Sequence, residues 1–294
     1  GYTPELVSVC AAMPDGTGLN PFAKKYPDRF FDVGIAEEHA VTFAAGLAAG
    51  DMRPVVSIYS TFLQRAYDQI IHDVCLNHQP VIFAVDRSGI VGRDGETHQG
   101  IYDLSYLGSM PHMIIVSPMD ARDLLMALDY ALQHEMGPVA VRYPRGTAFD
   151  YEERTGEAEP YRTGKAEVLV NGADVAVLAV GDMVEKALEL QEILARDGVH
   201  PTIVNTRFVK PFDEDLVWKL ADRHRLIVTM EDTVYSGGFS ERIQAFLQEK
   251  RMIRTRCMPV CFPDTFVEQG APEELYEKYH IDALSVAKRI REIL

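Results

Sequence analysis

Glu37 is the residue around which the possible chemistry of this chain gathers. It sits in Phe31-Asp32-Val33-Gly34-Ile35-Ala36-Glu37-Glu38-His39-Ala40, just after a short apolar run that reads as a strand. Ala36, Ala40, Phe43, Ala44 and Leu47 recur at helical spacing and Gly50 ends the pattern, so Glu37 lies in the first turn of a helix. In open α/β sheets the edge just past a strand is where ligands bind, and an acid there is placed for proton chemistry. The ordinary alternative is that helix dipoles favour acids in any first turn.

Three further groups share that kind of position. The stretch Asp86-Arg87-Ser88-Gly89-Ile90-Val91-Gly92-Arg93-Asp94-Gly95-Glu96-Thr97-His98-Gln99-Gly100 follows an apolar strand. Its glycines, histidine and charges suit close approach of a polar ligand, or else a solvated loop with His98 on its surface. Tyr143-Pro144-Arg145-Gly146 ends another strand with a guanidinium, which could equally be a surface residue in a turn. Arg87 and Arg145 follow strands of one predicted sheet and are therefore expected to converge as a phosphate clamp. Tyr59 and Phe62, where a third strand turns into a helix, are either core aromatics or a stacking surface for a flat heterocycle.

The elements that must position these groups alternate. Strands are expected at residues 6–12, 30–33, 54–59, 81–85, 113–116 and 139–142, with an amphipathic helix at 63–74 and another helix at 121–134. Leu63, Ala66, Tyr67, Ile70, Ile71 and Val74 form the apolar stripe of the first of these helices. Such alternation predicts an α/β fold with a mostly parallel sheet covered on both faces. Composition shifts to acidic and aperiodic at 147–163, which reads as an interdomain linker. A second α/β unit follows, with strands near 175–180, 201–205, 226–230 and 258–261. Its helices are expected near 183–196, 213–221, 239–249 and 272–279. A docked terminal helix at 283–294 carries Leu284, Ala287, Ile290, Ile293 and Leu294 on one face. The expected division is thus 1–146, linker 147–163 and 164–294, two consecutive mostly parallel-sheet domains.

Bulk properties narrow the partners. A net charge of −15 argues against nucleic acid or an anionic membrane as the main partner, so an anionic substrate would need a local basic cluster. No apolar run approaches the length of a membrane span. Cys10, Cys75, Cys257 and Cys261 lack zinc-site spacing and are expected to be buried thiols in a reducing cytoplasm. The chain opens on Gly1 rather than Met and is expected to be a piece of something longer.

Several of these stretches resemble a known family. Ile35-Ala36-Glu37-Glu38-His39-Ala40-Val41 resembles the pyrimidine-domain motif of thiamine-diphosphate enzymes in the transketolase superfamily, and Asp94-Gly95-Glu96-Thr97-His98-Gln99 resembles its second signature. Within it, Thr97-His98-Gln99-Gly100 followed by Asp103-Leu104-Ser105-Tyr106-Leu107 is similar to the 1-deoxy-D-xylulose-5-phosphate synthase family. So are Tyr59-Ser60-Thr61-Phe62-Leu63-Gln64-Arg65 and Tyr143-Pro144-Arg145-Gly146. The resemblance implies decarboxylating condensation of pyruvate with D-glyceraldehyde 3-phosphate, which feeds isoprenoid, thiamine and pyridoxal synthesis. It also implies a homodimer using thiamine diphosphate and Mg²⁺. Glu37 would hydrogen-bond N1′ of the aminopyrimidine, with Phe62 packed on that ring and Ile35 beside the cofactor. Tyr59, Arg65, Asp94 and His98 would face the reacting groups, with His98 as proton donor, and Arg87 and Arg145 would hold the substrate phosphate.

One feature of the family is not found. Its diphosphate is held through Mg²⁺ on a Gly-Asp-Gly motif with a downstream Asn, in a separate N-terminal domain. Gly181-Asp182-Met183 with Asn205 imitates that pattern in the wrong domain, so no metal ligand is assigned. The chain is expected to be the pyrimidine-binding and C-terminal portion, needing the diphosphate-binding domain as partner. Two alternatives stand beside this: the C-terminal subunit of a split transketolase, and a non-catalytic module of the same fold.

Overall fold

The computed structural model describes residues 3–134, 136–149, 151, 159–252 and 254–294. Of the expected linker, residues 150 and 152–158 lie outside the described residues. Twelve strands among the described residues build two sheets. The first half of the chain gives β1 (Leu6–Cys10), β2 (Phe30–Asp32), β3 (Arg53–Tyr59), β4 (Ile82–Asp86), β5 (Ile114–Val116) and β6 (Val139–Arg142). The second gives β7 (Glu167–Val170), β8 (Ala176–Ala179), β9 (Thr202–Asn205), β10 (Phe208–Lys210), β11 (Leu226–Val234) and β12 (Arg256–Phe262).

The first sheet has the order β10-β5-β6-β4-β3-β1-β2 and is parallel except for β10, which pairs antiparallel with β5. Every residue of β4 and β6 is buried, as expected of central strands covered on both faces. The chain steps from β1 outward to β2, then returns past β1 to β3. The order therefore reverses at β1/β3, and in doubly wound sheets the carboxyl ends of the strands at such a point form a crevice. The second sheet runs β12-β11-β8-β9-β7, parallel except for β7. β7 and β10 were not expected from the sequence, and β10 joins the sheet of the other half.

Helices α1 (Asn20–Lys25) and α2 (Glu37–Ala49) connect β1 to β2 and β2 to β3. The expected helix at 63–74 is irregular. It consists of α3 (Ser60–Leu63), a 3₁₀ turn at 64–66, α4 (Tyr67–Gln69) and a π turn at 70–75. Leu63, Ala66, Ile70 and Val74 of its stripe are buried, whereas Tyr67 is exposed. Further on come α5 (Asp103–Gly108), α6 (Ala121–Gln133), α7 (Met183–Ala195), α8 (Glu214–Arg223), α9 (Phe239–Glu249), α10 (Pro272–Lys278) and α11 (Ala283–Ile293). α6, α8 and α11 start on Asp120, Asp213 and Asp282, whose carboxylates accept from the backbone N–H three residues on. α11 docks through Ala283, Val286, Ala287 and Ile290, while Leu284 and Leu294, expected on its buried face, are exposed.

One apolar cluster runs through both halves, from Val9, Ile58 and Phe83 to Leu178, Val204, Phe239 and Ile243. Tyr161, at the end of the expected linker, packs on Phe208 and under Arg207. All four cysteines are free thiols. Burial pushes Cys10, Cys75 and Cys257 up to about 11 and Cys261 to about 12. Cys10 and Cys75 are buried as expected, and Cys257 and Cys261 only partly. No helix among the described residues is long and apolar enough to cross a membrane.

Candidate active site

The parallel register brings the ends of β2, β3, β4 and β6 to one edge of the first sheet. Beyond β2, Asp32 Oδ1 accepts from the N–H groups of Ala12 and Gly34 and fixes the turn that leads into α2. Ala36 provides no side-chain cap there, so the first-turn acids Glu37 and Glu38 supply the negative charge that the helix end favours. Glu37 is 2% exposed, and its Oε1 accepts from Arg65 Nη1 at 2.7 Å. Its Oε2 makes no hydrogen bond among the described residues.

From Arg65 the contacts run on without a break. Its guanidinium lies over the Phe62 ring at 4.9 Å. The Phe62 ring stacks on Tyr59 at 5.8 Å and meets His98 edge-on at 5.3 Å. Arg87 lies over Tyr59 at 3.9 Å. Arg87 Nη1 and Arg145 Nη1 both donate to Asp94 Oδ2, at 2.9 and 2.6 Å. Eight of the nine residues singled out from the sequence thus form one connected surface. Ile35 is the exception: it precedes α2 and is 81% exposed, an apolar side chain facing outward beside Glu37. The expected convergence of Arg87 and Arg145 is present, with the carboxylate of Asp94 between them.

The His98 loop is tightly folded. Gly89 and Gly100 exchange backbone hydrogen bonds at 2.8 and 2.7 Å. A Cβ on Gly100 would lie 2.2 Å from the Arg87 carbonyl, so only glycine fits. Thr97 Oγ1 contacts His98 Nδ1 at 2.9 Å, and Thr61 Oγ1 donates to the Thr97 carbonyl at 3.0 Å. A Cβ on Gly16 would fall 1.6 Å from the Tyr59 hydroxyl, so the loop after β1 closes directly against that end of the ring.

Arg142 was not singled out from the sequence, yet it holds this edge together. It is 2% exposed at the end of β6. Its Nε donates to Asp103 Oδ2 and its Nη2 to Asp232 Oδ1, each at 3.0 Å, and its Nη1 to Ser117 Oγ at 3.3 Å. The one available signal was a charged residue closing an otherwise apolar strand. Asp182, half-buried, lies near this group. Burial first, then the nearby Asp232, pushes its carboxyl well above the usual carboxylate range, with Arg142 opposing and Glu185 adding to the rise. Asn205 instead bonds Asp123 and Glu167, so the Asp182/Asn205 pair serves two different elements.

A carboxyl whose folded pKa is raised binds more protons folded than unfolded. Its contribution to stability therefore falls as pH rises from about 4 through the folded value. We expect Asp182→Asn to flatten the decline in melting temperature as pH rises above about 4. An unchanged slope would mean that Asp182 does not titrate in that window.

The residues present fit an aminopyrimidine: a buried carboxylate with an unused oxygen lies beside an aromatic face and an exposed apolar side chain. They do not fit a divalent metal. Among the described residues no group of three or more histidine, cysteine or acidic side chains could hold one.

Comparison with known proteins gives the family. The transketolase pyrimidine-binding domain family matches residues 2–149, and the transketolase C-terminal domain family matches residues 164–286. The chain is 50% identical to the 1-deoxy-D-xylulose-5-phosphate synthase of Caldanaerobacter subterraneus subsp. tengcongensis and 48% identical to that of Lachnoclostridium phytofermentans. Each match covers 97% of this chain and 45% of the relative, so the chain spans about half the length of these relatives. Among solved structures, a split-gene transketolase described as an inactive β4 tetramer superimposes with a TM-score of 0.86 at 30% identity. That match covers 99% of this chain and 92% of the other. A transketolase mutant from Pichia stipitis shares the fold at a TM-score of 0.76 and 18% identity, over 98% of this chain and 43% of that one. The chain therefore belongs to the transketolase family, carrying its pyrimidine-binding and C-terminal domains in the form found among 1-deoxy-D-xylulose-5-phosphate synthases.

Proposed function

We propose that this chain supplies the pyrimidine side of a thiamine-diphosphate site that condenses pyruvate with D-glyceraldehyde 3-phosphate, releasing carbon dioxide and forming 1-deoxy-D-xylulose 5-phosphate. The observation that carries the reading is the unbroken surface from Glu37 through Phe62 and His98 to Arg145. Bound thiamine diphosphate supplies the electron sink for loss of the carboxylate. Glu37 holds a proton at N1′ of the pyrimidine, and Phe62 and Ile35 pack on or beside that ring. Tyr59, Arg65 and Asp94 face the reacting groups. His98 stands at the rim of the aromatic face, where it donates a proton to the oxygen that becomes an alkoxide as the new C–C bond forms.

Mg²⁺ and the diphosphate belong, in this reading, to the N-terminal diphosphate-binding domain of the same enzyme, and assembly is homodimeric and cytoplasmic. The domain division 1–146, 147–163 and 164–294 goes with it. The free thiols, two buried and two partly buried, and the 45% share of the relatives' length support it. A second reading, a separately encoded transketolase subunit, draws on the 92% coverage of the split-gene chain. Assay of the complete assembly separates the two. The first expects product from pyruvate and glyceraldehyde 3-phosphate; the second expects turnover of xylulose 5-phosphate with ribose 5-phosphate.

Arg87 and Arg145 give the acceptor its phosphate preference. Both already hold one carboxylate oxygen, and a phosphate gains charge-assisted hydrogen bonds of about 1.5–3 kcal/mol each from such donors. We expect Arg145→Ala to raise KM for glyceraldehyde 3-phosphate roughly tenfold to a hundredfold, with a far smaller change for pyruvate. Arg145→Lys should recover only part, since an ammonium lacks the planar fork. Equal rises for both substrates would remove Arg145 from the clamp.

A further inference from the structure

We propose that the C-terminal domain acts in the reaction by holding the His98 loop in its working shape, with Gln269 and Asp232 as positioning residues. The inference rests on the functional reading above for its effect on turnover. It rests on geometry alone for its effect on the loop.

Left to itself the 87–100 segment is expensive to order. Arg87, Gly89, Gly92 and Gly95 all have φ between +57° and +78°. Glycines lose the most backbone freedom on folding, and each residue fixed costs on the order of 1–2 kcal/mol. The first domain anchors the two ends, through Ser88 N–H to the Tyr143 carbonyl and through the Gly89/Gly100 pair. The middle is met by the second domain. Gln269 Nε2 donates to the Arg93 carbonyl at 2.8 Å. Gln99, 2% exposed, accepts from Val91 N–H and donates its Nε2 to the Glu268 carbonyl at 3.1 Å. A Cβ on Gly92 would lie 2.7 Å from the Gly270 carbonyl, so the two backbones touch. At the near end the Asp232 carboxylate fills the space where a Gly89 side chain would be, and Arg142 fixes that carboxylate. Beyond Gly100, Val234 N–H donates to the Ile101 carbonyl at 3.1 Å.

What this grip holds is the chemistry. Asp94 and His98 lie on the clamped segment, and through Asp94 the clamp reaches both phosphate-binding arginines. A second domain that merely docked would have no need to satisfy the Arg93 carbonyl and the Gln99 amide of a loop from another sheet.

Gln269 is exposed, so its replacement tests the grip without threatening the fold. Gln269→Glu keeps the shape and removes the donor, whereas Gln269→Lys keeps a donor. On the intact protein without ligands, hydrogen–deuterium exchange over residues 89–100 should quicken roughly threefold to tenfold in Gln269→Glu. Melting temperature and exchange in β3, β8 and α7 should stay unchanged, and Gln269→Lys should restore most of the protection. In the complete assembly, Gln269→Glu should then lower kcat severalfold with little change in KM for pyruvate. Unchanged exchange over 89–100, an equal quickening everywhere, or a loosened loop with unaltered kcat would each overturn the proposal. Were the functional reading wrong instead, the exchange difference would persist while the wild type formed no deoxyxylulose phosphate.

Discussion

Replacing Glu37 by Gln is expected to cut turnover of the complete enzyme by roughly 10²–10⁴-fold, the range that a positioned proton-transfer group supplies. The amide fills the same space in the first turn of α2 but cannot exchange a proton with a ring nitrogen. Its effect on folding should be small. The charge left behind, Arg65, has a side chain 47% exposed and stays solvated, while the buried amide carries no charge to strand. The loss should appear in kcat, with the KM values for both substrates moving far less, because neither substrate is held by this carboxylate. Steady-state kinetics on the purified variant, with its melting temperature as control, checks this. A variant within a few-fold of wild type would leave Glu37 as a helix-start acid and nothing more.

The second large effect concerns stability. Arg142→Met should destabilise the protein by about 3–5 kcal/mol, because it leaves Asp103 and Asp232 buried without a counter-charge. Those two carboxylates come from different halves of the chain, so the loss should be felt by both sheets in a single urea transition. Arg142→Met combined with Asp103→Asn and Asp232→Asn should recover much of the loss, since the cost lies in stranded charge more than in the missing contact. Arg291→Met, which breaks an ion pair with Asp197 whose two side chains are both 45% exposed, serves as the comparison and should change stability by no more than about 1 kcal/mol. A loss of similar size in both variants would mean that the buried cluster carries no special burden.

The parts of the molecule that could be read from the sequence are those set by local pattern. The strands that became β3, β4 and β6 are runs of Val and Ile bounded by turn residues, and α2 shows its helical spacing and its glycine stop. Positions after strand ends were enough to place Glu37, Arg87 and Arg145 on one edge, because parallel strands send all their carboxyl ends the same way. The edge strands β7 and β10 were not legible. They are four and three residues long and owe their extended form to partners met in space. The breaks between residues 60 and 75 were also hidden, since the stripe from Leu63 to Val74 suits a continuous helix equally well.

In the site, local spacing could reveal the aromatic and basic residues but not what holds them. Arg142 and Asp232 are 90 residues apart, and Gln269 and the Arg93 carbonyl 176. No short-range pattern records such a pairing. The second domain's grip on the His98 loop therefore became visible only once the two sheets were placed together.

In the proposed function Glu37 is the proton partner of the cofactor's pyrimidine. This role is tested most directly by following hydrogen–deuterium exchange at C2 of thiamine diphosphate bound to the complete enzyme, in wild type and in Glu37→Gln. Rapid exchange is expected in the wild type, with a rate lower by about 10² or more in the variant. Equal rates in the two proteins would contradict that role.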